Sequence, residues 1–250
     1  MLITELASQL NTKRPISKSL SSLHSLIQTL KSEGELTSCI EVLLQVTILL
    51  QKSNNLPTAA SLFSSILTNI THTLSSDVPL SYKKEITTNL LPLADLLYSH
   101  LDLMSSFHAC ISLSRLCVYS SLNADAGLWS FRAYESLPFG CASSRLFHLN
   151  SSIKNFLLAR EFHLCIELIG KKISIQTTNK DLLLRFILSI LIKDWKMVEA
   201  FHIDLPFHIT LEKVFDSEFT LNCFTESQMS LILEICDECS LFDLVIHQFD

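Results

Sequence analysis

The chain has 250 residues, 48% of them hydrophobic, so it is long and apolar enough to bury a substantial core. Four glycines and six prolines leave few residues for tight hairpins or phosphate-binding loops, and a formal net charge of −6 disfavours nucleic acid as a partner. The composition therefore predicts an all-α protein whose helices are joined by short polar turns.

Apolar stripes at helical spacing follow one another through the first half of the chain. The clearest stripe begins at Pro57, a favoured first-turn residue, and continues on one face to Leu74. Short polar breaks separate the stripes, at 31–35, 51–55, 75–80, 123–127 and 176–180. The pattern predicts about eleven or twelve helices, and connections this short make consecutive helices antiparallel.

The pattern changes around Trp129, where a Pro138-Phe139-Gly140 break follows the stripe. Because an apolar stripe resumes directly after Cys141, we do not treat the break as evidence of a domain boundary. We interpret it as a bend near 123–141 within a single helical-repeat domain that spans 1–250.

Two turns in the second half resemble each other. Arg160-Glu161-Phe162 and Lys193-Asp194-Trp195 each place a basic, an acidic and an aromatic residue after an apolar helix end. The second turn lies 33 residues after the first, close to the repeat of about 34 residues in tetratricopeptide (TPR) proteins. Looser echoes lie at 52–56 and 101–107. Although the full tetratricopeptide pattern is absent, the spacing predicts a TPR-like α-solenoid of antiparallel helix hairpins with a C-terminal helical cap.

No pattern of catalytic or metal-binding residues stands out. Cys236 and Cys239 form the only CxxC, and Cys223 and His247 lie within reach as further zinc ligands, but the surrounding apolar run is typical of buried thiols. The chain also lacks a glycine-rich phosphate loop and a nucleophile elbow. We therefore expect no enzymatic activity, no metal and no cofactor, and an enzyme that uses Cys/His chemistry is the minor alternative.

The cysteines and the apolar runs indicate in which cellular compartment the protein is expected. Eight cysteines are scattered through apolar helical patterns, and no signal peptide is recognisable, which predicts free thiols in the reducing cytosol. The apolar run at 182–192 is interrupted by Arg185 and is shorter than the roughly 20 residues that span a bilayer. No transmembrane helix is predicted.

Charge is unevenly distributed along the second half. The stretch 132–185 gathers eight basic residues, which on a solenoid either line a concave face and meet an acidic partner or form a solvated surface. Beyond Met229 every charged residue is acidic. An acidic and apolar terminal helix suits docking on a basic partner surface, and it suits equally well the capping of the last hairpin.

From about Phe156 to Asp250 the chain resembles the C-terminal half of the soluble NSF attachment proteins (SNAPs), the gamma type more than the alpha type. The features that carry the resemblance are the Arg160-Glu161-Phe162 turn, the apolar helix that ends in Ile192-Lys193-Asp194-Trp195, and the closing Leu241-Phe242-Asp243 segment. SNAPs are TPR-like solenoids that lie along a SNARE bundle with a basic concave face. They present an acidic C-terminal end to the NSF ATPase, which pulls the bundle apart.

The resemblance implies an adaptor in SNARE-complex disassembly and vesicle traffic, cytoplasmic and able to associate with membranes peripherally. It assigns the NSF-facing role to Asp237, Glu238, Leu241 and Asp243. It assigns the SNARE-facing role to Lys154, Arg160, Lys171, Lys172 and Arg185. The alternative from the solenoid pattern is a helical-repeat scaffold subunit of another multiprotein complex.

Overall fold

The computed structural model describes residues 25, 36–52, 56–75, 78–194, 196–197, 227 and 230. These residues form helices and short turns, and no strand occurs among them, which confirms the predicted all-α class. The chain divides into two compact units, Met1–Cys141 and Ala142–Asp250. The division falls at the end of the 123–141 segment in which the sequence changes its pattern.

The first unit contains five described helices. Each packs against the next along the chain, and the first and second also pack against the third and fourth, respectively. In chain order they are α1 (Leu36–Lys52), α2 (Leu56–Leu74), α3 (Leu80–Tyr98), α4 (Leu103–Tyr119) and α5 (Asn123–Ser136).

The apolar face predicted for α2 is the face that this helix buries. Pro57 lies in the first turn, as expected, and the described apolar side chains on one face, Ala59, Leu62, Phe63, Leu67, Ile70 and Leu74, are almost completely covered. Phe63 is among the largest fully buried side chains, and each such side chain contributes about 1.5–3 kcal/mol through the apolar surface it removes from water. The amphipathic pattern therefore sets how α2 faces the core.

Hydroxyl groups join α3, α4 and α5 to one another inside the first unit. One hydrogen bond between two hydroxyls links each pair of these helices: Thr87 to Ser120 at the end of α4 (2.7 Å), Ser114 to Ser130 (2.7 Å), and Tyr98 to Ser136 (3.1 Å). Such pairs satisfy polar groups that packing has taken from water, and they fix the register of neighbouring helices.

The polar break predicted at 123–127 is wrong in position. The turn lies at 120–122, and α5 already begins at Asn123. Asn123 and Asp125 are loop-like in composition, yet such polar residues are also favoured in the first turn of a helix, where the backbone N–H groups point outward. Gly127 is a buried helical residue.

The second unit contains three described helices, α6 (Ala142–Leu158), α7 (Phe162–Ile175) and α8 (Asn179–Leu191). Helix α7 packs against both α6 and α8. The connections between these helices have only three residues, so the three helices alternate in direction, and the C-terminal ends of α6 and α8 lie at the same end of the unit. The core of this unit includes Leu149, Phe156, Cys165, Ile169, Phe186 and Ile190.

The chain makes the same turn after α4, α6 and α8. After α6, Arg160 adopts a left-handed conformation with φ 60°, and the N–H groups of Glu161 and Arg160 donate to the carbonyls of Phe156 (2.9 Å) and Leu157 (3.0 Å). This bonding pattern is the Schellman motif, which satisfies carbonyls at a helix end. The corresponding left-handed residues are Ser121 (φ 55°) after α4 and Lys193 (φ 59°) after α8.

The hydrogen bonds are the same in the other two turns. Leu122 and Ser121 donate to Cys117 (2.8 Å) and Val118 (3.1 Å), and Asp194 and Lys193 donate to Ser189 (2.9 Å) and Ile190 (3.0 Å). The two turns that the sequence pairs therefore share one backbone geometry. The turn at Ser121 has no basic and acidic residues to reveal it.

The two looser echoes differ from this geometry or lie partly outside the described residues. At 101–107 the structure has a capped helix start, in which Asp102 Oδ1 accepts the Ser105 backbone N–H (2.9 Å). This arrangement is an N-cap and has no left-handed residue. In the 52–56 segment, residues 53–55 lie outside the described residues.

Candidate functional site

The basic residues that the resemblance assigns to a SNARE-facing surface lie in the second unit, near the two ends of α7. Lys154 projects from α6, and Arg160 occupies the left-handed position of the turn that follows α6. Both side chains are exposed. They lie toward the end of the unit at which α6 terminates.

Lys171 and Lys172 lie near the C-terminal end of α7 and have different environments. Lys171 Nζ lies 3.0 Å from Glu167 Oε1, one helical turn away, in a pair that is largely open to water. Lys172 Nζ donates to Asp181 Oδ1 at 2.6 Å, and these two side chains are only 16% and 6% exposed. Water screens the first pair, whereas the second is held in a mostly desolvated environment.

Asp181 belongs to the cap of α8. The N-cap residue Thr178 donates its hydroxyl to Asp181 Oδ2 (2.6 Å) and accepts the Asp181 backbone N–H (3.2 Å). Thr178 is therefore a side-chain N-cap of α8, and the Asp181 carboxylate accepts the hydroxyl of that same N-cap residue. The ammonium of Lys172 therefore completes a helix cap, which accounts for its low exposure.

Arg185 lies on α8 and packs against α7. A Cβ atom added to Gly170 would lie 3.8 Å from both Cζ and Nη2 of Arg185, so the glycine leaves room for the guanidinium beside the α7 backbone. Arg185 is half-buried. Like Lys172, it is bound into the contact between α7 and α8.

These positions place the five proposed residues in two groups. Lys154 and Arg160 lie near the start of α7, and Lys171 and Lys172 lie near its end, roughly 15 Å further along the helix axis. Arg185 belongs with the second group through its contact with Gly170. In the first group both cations are exposed, whereas in the second group Lys172 and Arg185 are engaged between α7 and α8. The described geometry therefore does not gather all five residues at one point.

The acidic residues that the resemblance assigns to NSF lie outside the described residues, and so does the CxxC motif. The positions concerned are Asp237, Glu238, Leu241 and Asp243, together with Cys236 and Cys239. Their assigned roles stay predictions.

The cysteines whose side chains are described are free thiols, as the sequence predicts for them. Cys110, Cys117 and Cys165 are buried, whereas Cys141 is exposed. Burial raises the pKa of the Cys110 thiol to about 12, and burial followed by the charge of Asp125 raises the pKa of Cys117. Both thiols therefore stay protonated near neutral pH, and protonated thiols are poor nucleophiles. Among the described side chains, no group of three or more His, Cys, Asp or Glu could hold a metal ion.

A cluster around Arg132 was not anticipated from the sequence. The guanidinium lies over the Trp129 ring at 4.2 Å from its centroid, lies 5.3 Å from the Tyr98 ring centroid, and forms an ion pair with Asp95. The Trp129 and Tyr98 rings meet edge to face at 5.8 Å. Trp129 and Arg132 are three residues apart on one helix face, and this spacing is the available signal. The cluster ties α3 to α5, and its cation is already paired.

No helix in the described part of the chain is long and apolar enough to cross a membrane. The chain matches no protein-family model, no curated protein and no solved structure.

Proposed function

We propose that this chain is a non-catalytic helical-repeat adaptor that binds other proteins. The observation that carries the proposal is the Schellman turn that recurs at Ser121, Arg160 and Lys193. In a repeat architecture, successive helix hairpins are connected with the same geometry. A recurrent turn between antiparallel helices therefore supports a repeat fold. The packing of α1 on α3 and of α2 on α4 in the first unit is consistent with stacked hairpins.

The distribution of charge supports binding rather than chemistry. Residues 142–197 include nine basic and four acidic side chains, whereas residues 198–250 include one basic and eleven acidic side chains. Such segregation creates oppositely charged stretches of chain, which steer charged partners and set the orientation of docking. An adaptor that joins a basic partner to an acidic one needs both kinds of surface.

In its narrower form, the proposal is an adaptor between SNARE proteins and the NSF ATPase in SNARE-complex disassembly. It is supported by the resemblance to SNAPs over about Phe156 to Asp250. In this form the acidic residues Asp237, Glu238 and Asp243 meet NSF, with Leu241 as the apolar contact. Lys154 and Arg160 are exposed and Lys171 is partly exposed, so these three can meet a SNARE bundle, whereas Lys172 and Arg185 lie between α7 and α8.

A pull-down of NSF with the purified full chain tests this form. The triple change Asp237→Lys, Glu238→Lys and Asp243→Lys is expected to reduce NSF capture at least tenfold, because each reversal turns an attraction into a repulsion. A matched control is Glu41→Lys, Glu85→Lys and Glu135→Lys, which changes the net charge equally at exposed sites of the first unit. Undiminished capture by the first triple variant, or no capture by the unaltered chain, contradicts the NSF role.

Native mass spectrometry of the endogenous protein separates the narrower form from the broader one. A transient adaptor for NSF is expected mainly as the free chain. A scaffold subunit is expected in a stable assembly of fixed stoichiometry. The second result, together with no NSF capture, would assign the chain to another complex.

A further inference from the structure

The outer face of α4 is an exposed stripe with a seven-residue period. Met104 and Val118 are 61% and 47% exposed, and partly buried Ile111 lies midway between them. His108 and Arg115 occupy the positions between these three and are exposed. We call these five residues the α4 seam.

The spacing of the α4 seam is that of a coiled-coil interface. Residues seven apart fall on nearly the same line of a helix, and residues three or four apart fill the alternate positions of that line. From Met104 to Val118 the seam is about 21 Å long, which matches four turns of a partner helix. The opposite face of α4 is fully buried, at Ala109, Leu113 and Leu116, so the seam is presented by a helix that the core holds in place.

The charge of this face has one sign. Helix α4 contains no aspartate or glutamate, and Arg115 lies within the α4 seam. At the C-terminal end of α4, the Lys83 ammonium lies 6.0 Å from the centroid of the Tyr119 ring, so a second cation lies at this end of the helix. At the N-terminal end, the carboxylate of Asp102 is engaged as a cap by Ser105, through both the backbone N–H and the hydroxyl.

We propose that the α4 seam binds one acidic amphipathic helix of a partner protein. The apolar residues of that helix pack on Met104, Ile111 and Val118, and its carboxylates face His108 and Arg115. A second copy of this chain complements the same surface less well than an acidic helix does, because a second α4 contains no carboxylate to pair with Arg115. Because the core holds α4 in place, binding does not have to order this helix, and the entropic cost of forming the complex is lower.

This inference rests on the proposed adaptor function for the existence of a partner, but its test does not involve NSF or SNARE proteins. The probes are two fluorescein-labelled helical peptides of about three heptads, both with leucine at the first position of each heptad, so that one leucine faces each of Met104, Ile111 and Val118. One peptide has glutamate and the other lysine at the positions that face His108 and Arg115. The readout is fluorescence anisotropy during titration with the full chain.

We expect the glutamate peptide to bind at least tenfold more tightly than the lysine peptide, with an affinity that falls as salt is added. The double variant Met104→Ser and Val118→Ser should weaken that binding at least tenfold, since it removes the apolar contacts. The double variant His108→Glu and Arg115→Glu should reverse the preference toward the lysine peptide. All four positions are on the outer face, so thermal melting is expected to stay close to that of the unaltered chain.

The matched control is Lys154→Glu with Arg160→Glu, which removes two exposed cations from the second unit. Glutamate-peptide binding by this control should equal that of the unaltered chain. The proposal is overturned by equal affinity for the two peptides, by no binding of the glutamate peptide, or by an equal loss in the control. It is also overturned if sedimentation shows a dimer that the Met104→Ser and Val118→Ser changes dissociate. Failure of NSF capture leaves these outcomes unaffected, so the two tests fail separately.

Discussion

Within the described part of the chain, three non-glycine residues adopt the left-handed conformation that glycine usually supplies at the end of a helix. Ser121, Arg160 and Lys193 each have φ between 55° and 60°, and each ends a helix with a Schellman motif. A side chain with a Cβ atom pays about 1–2 kcal/mol for this conformation. Arg160 and Lys193 partly offset this cost, because a cation is favoured near the negative end of a helix dipole.

Glycine at position 160 is therefore expected to stabilise the protein. Arg160→Gly should raise the free energy of unfolding by about 0.5–1 kcal/mol. The gain is the backbone strain that glycine relieves, and it is reduced by the larger conformational entropy of glycine in the unfolded chain. Urea denaturation measures the change. The control is Ser99→Gly at the C-cap of α3, where φ is −68° and no strain exists to relieve, so stability should fall. An equal loss in both variants would contradict the role assigned to the turn.

At the scale of the element, the start of α8 depends on a cation from the end of α7. Thr178 and Asp181 cap α8, and Lys172 binds the second carboxylate oxygen of Asp181. Removing one member of a buried pair leaves the other charge without compensation, which costs more than the pair itself contributes. The contact between α7 and α8 therefore depends on a polar interaction as well as on the apolar core around Ile169 and Phe186.

The neighbouring lysines of α7 provide a direct comparison of the buried and the exposed ion pair. Lys172→Met should lower the free energy of unfolding by about 2 kcal/mol, because Asp181 stays buried without its cation. Lys171→Met breaks only the exposed pair with Glu167 and should cost less than about 0.5 kcal/mol. Adding Asp181→Asn to Lys172→Met should recover part of the loss. Similar losses of stability for the two single variants in thermal or urea unfolding would show that the Lys172–Asp181 pair stabilises the protein no more than the exposed Lys171–Glu167 pair does.

For the whole molecule, the notable feature is the division into two units at 141 and 142. A turn closes just before it, where the Cys141 N–H donates to the Pro138 carbonyl at 3.0 Å. Phe139 is 89% exposed at the tip of this turn. Exposed turns between compact units are preferred sites of proteolysis, because cleavage there requires little local unfolding.

Brief chymotrypsin treatment of the full chain should therefore cut after Phe139 before it cuts after Phe63 or Phe156, which are buried in the two units. Phe147 is a stricter control, since it is 67% exposed but helical, and a helix must unwind before it fits a protease. Mass spectrometry of the fragments identifies the order of cuts. Phe139→Ser should abolish the early product alone. Equally early cuts at Phe147 would show that the turn is not the weak point.

The helix pattern and part of the turn geometry could be read from the sequence, because both depend on residues close together in the chain. The apolar face of α2 follows from the 3.6-residue period, and the shared turn at Arg160 and Lys193 follows from a local residue pattern. The equivalent turn at Ser121 was not predicted, because residues 120–122 include no charged side chain that would distinguish it from other polar turns. The misplaced break at 123–127 has the same origin, because polar residues suit a loop and a first helical turn alike.

Contacts between distant residues could be decided only by the tertiary structure. Lys172 is a surface cation in the sequence, but the packing of α7 on α8 brings it to Asp181 and buries the pair. The apolar residues of α4 surround the helix on all sides, so the period alone does not identify its inner face. Packing of α2, α3 and α5 around Leu113 selects that face, and the α4 seam with Met104 and Val118 is left in water. The sequence by itself determined where the helices form, since that depends on local spacing, whereas packing determined which of their residues are available to a partner.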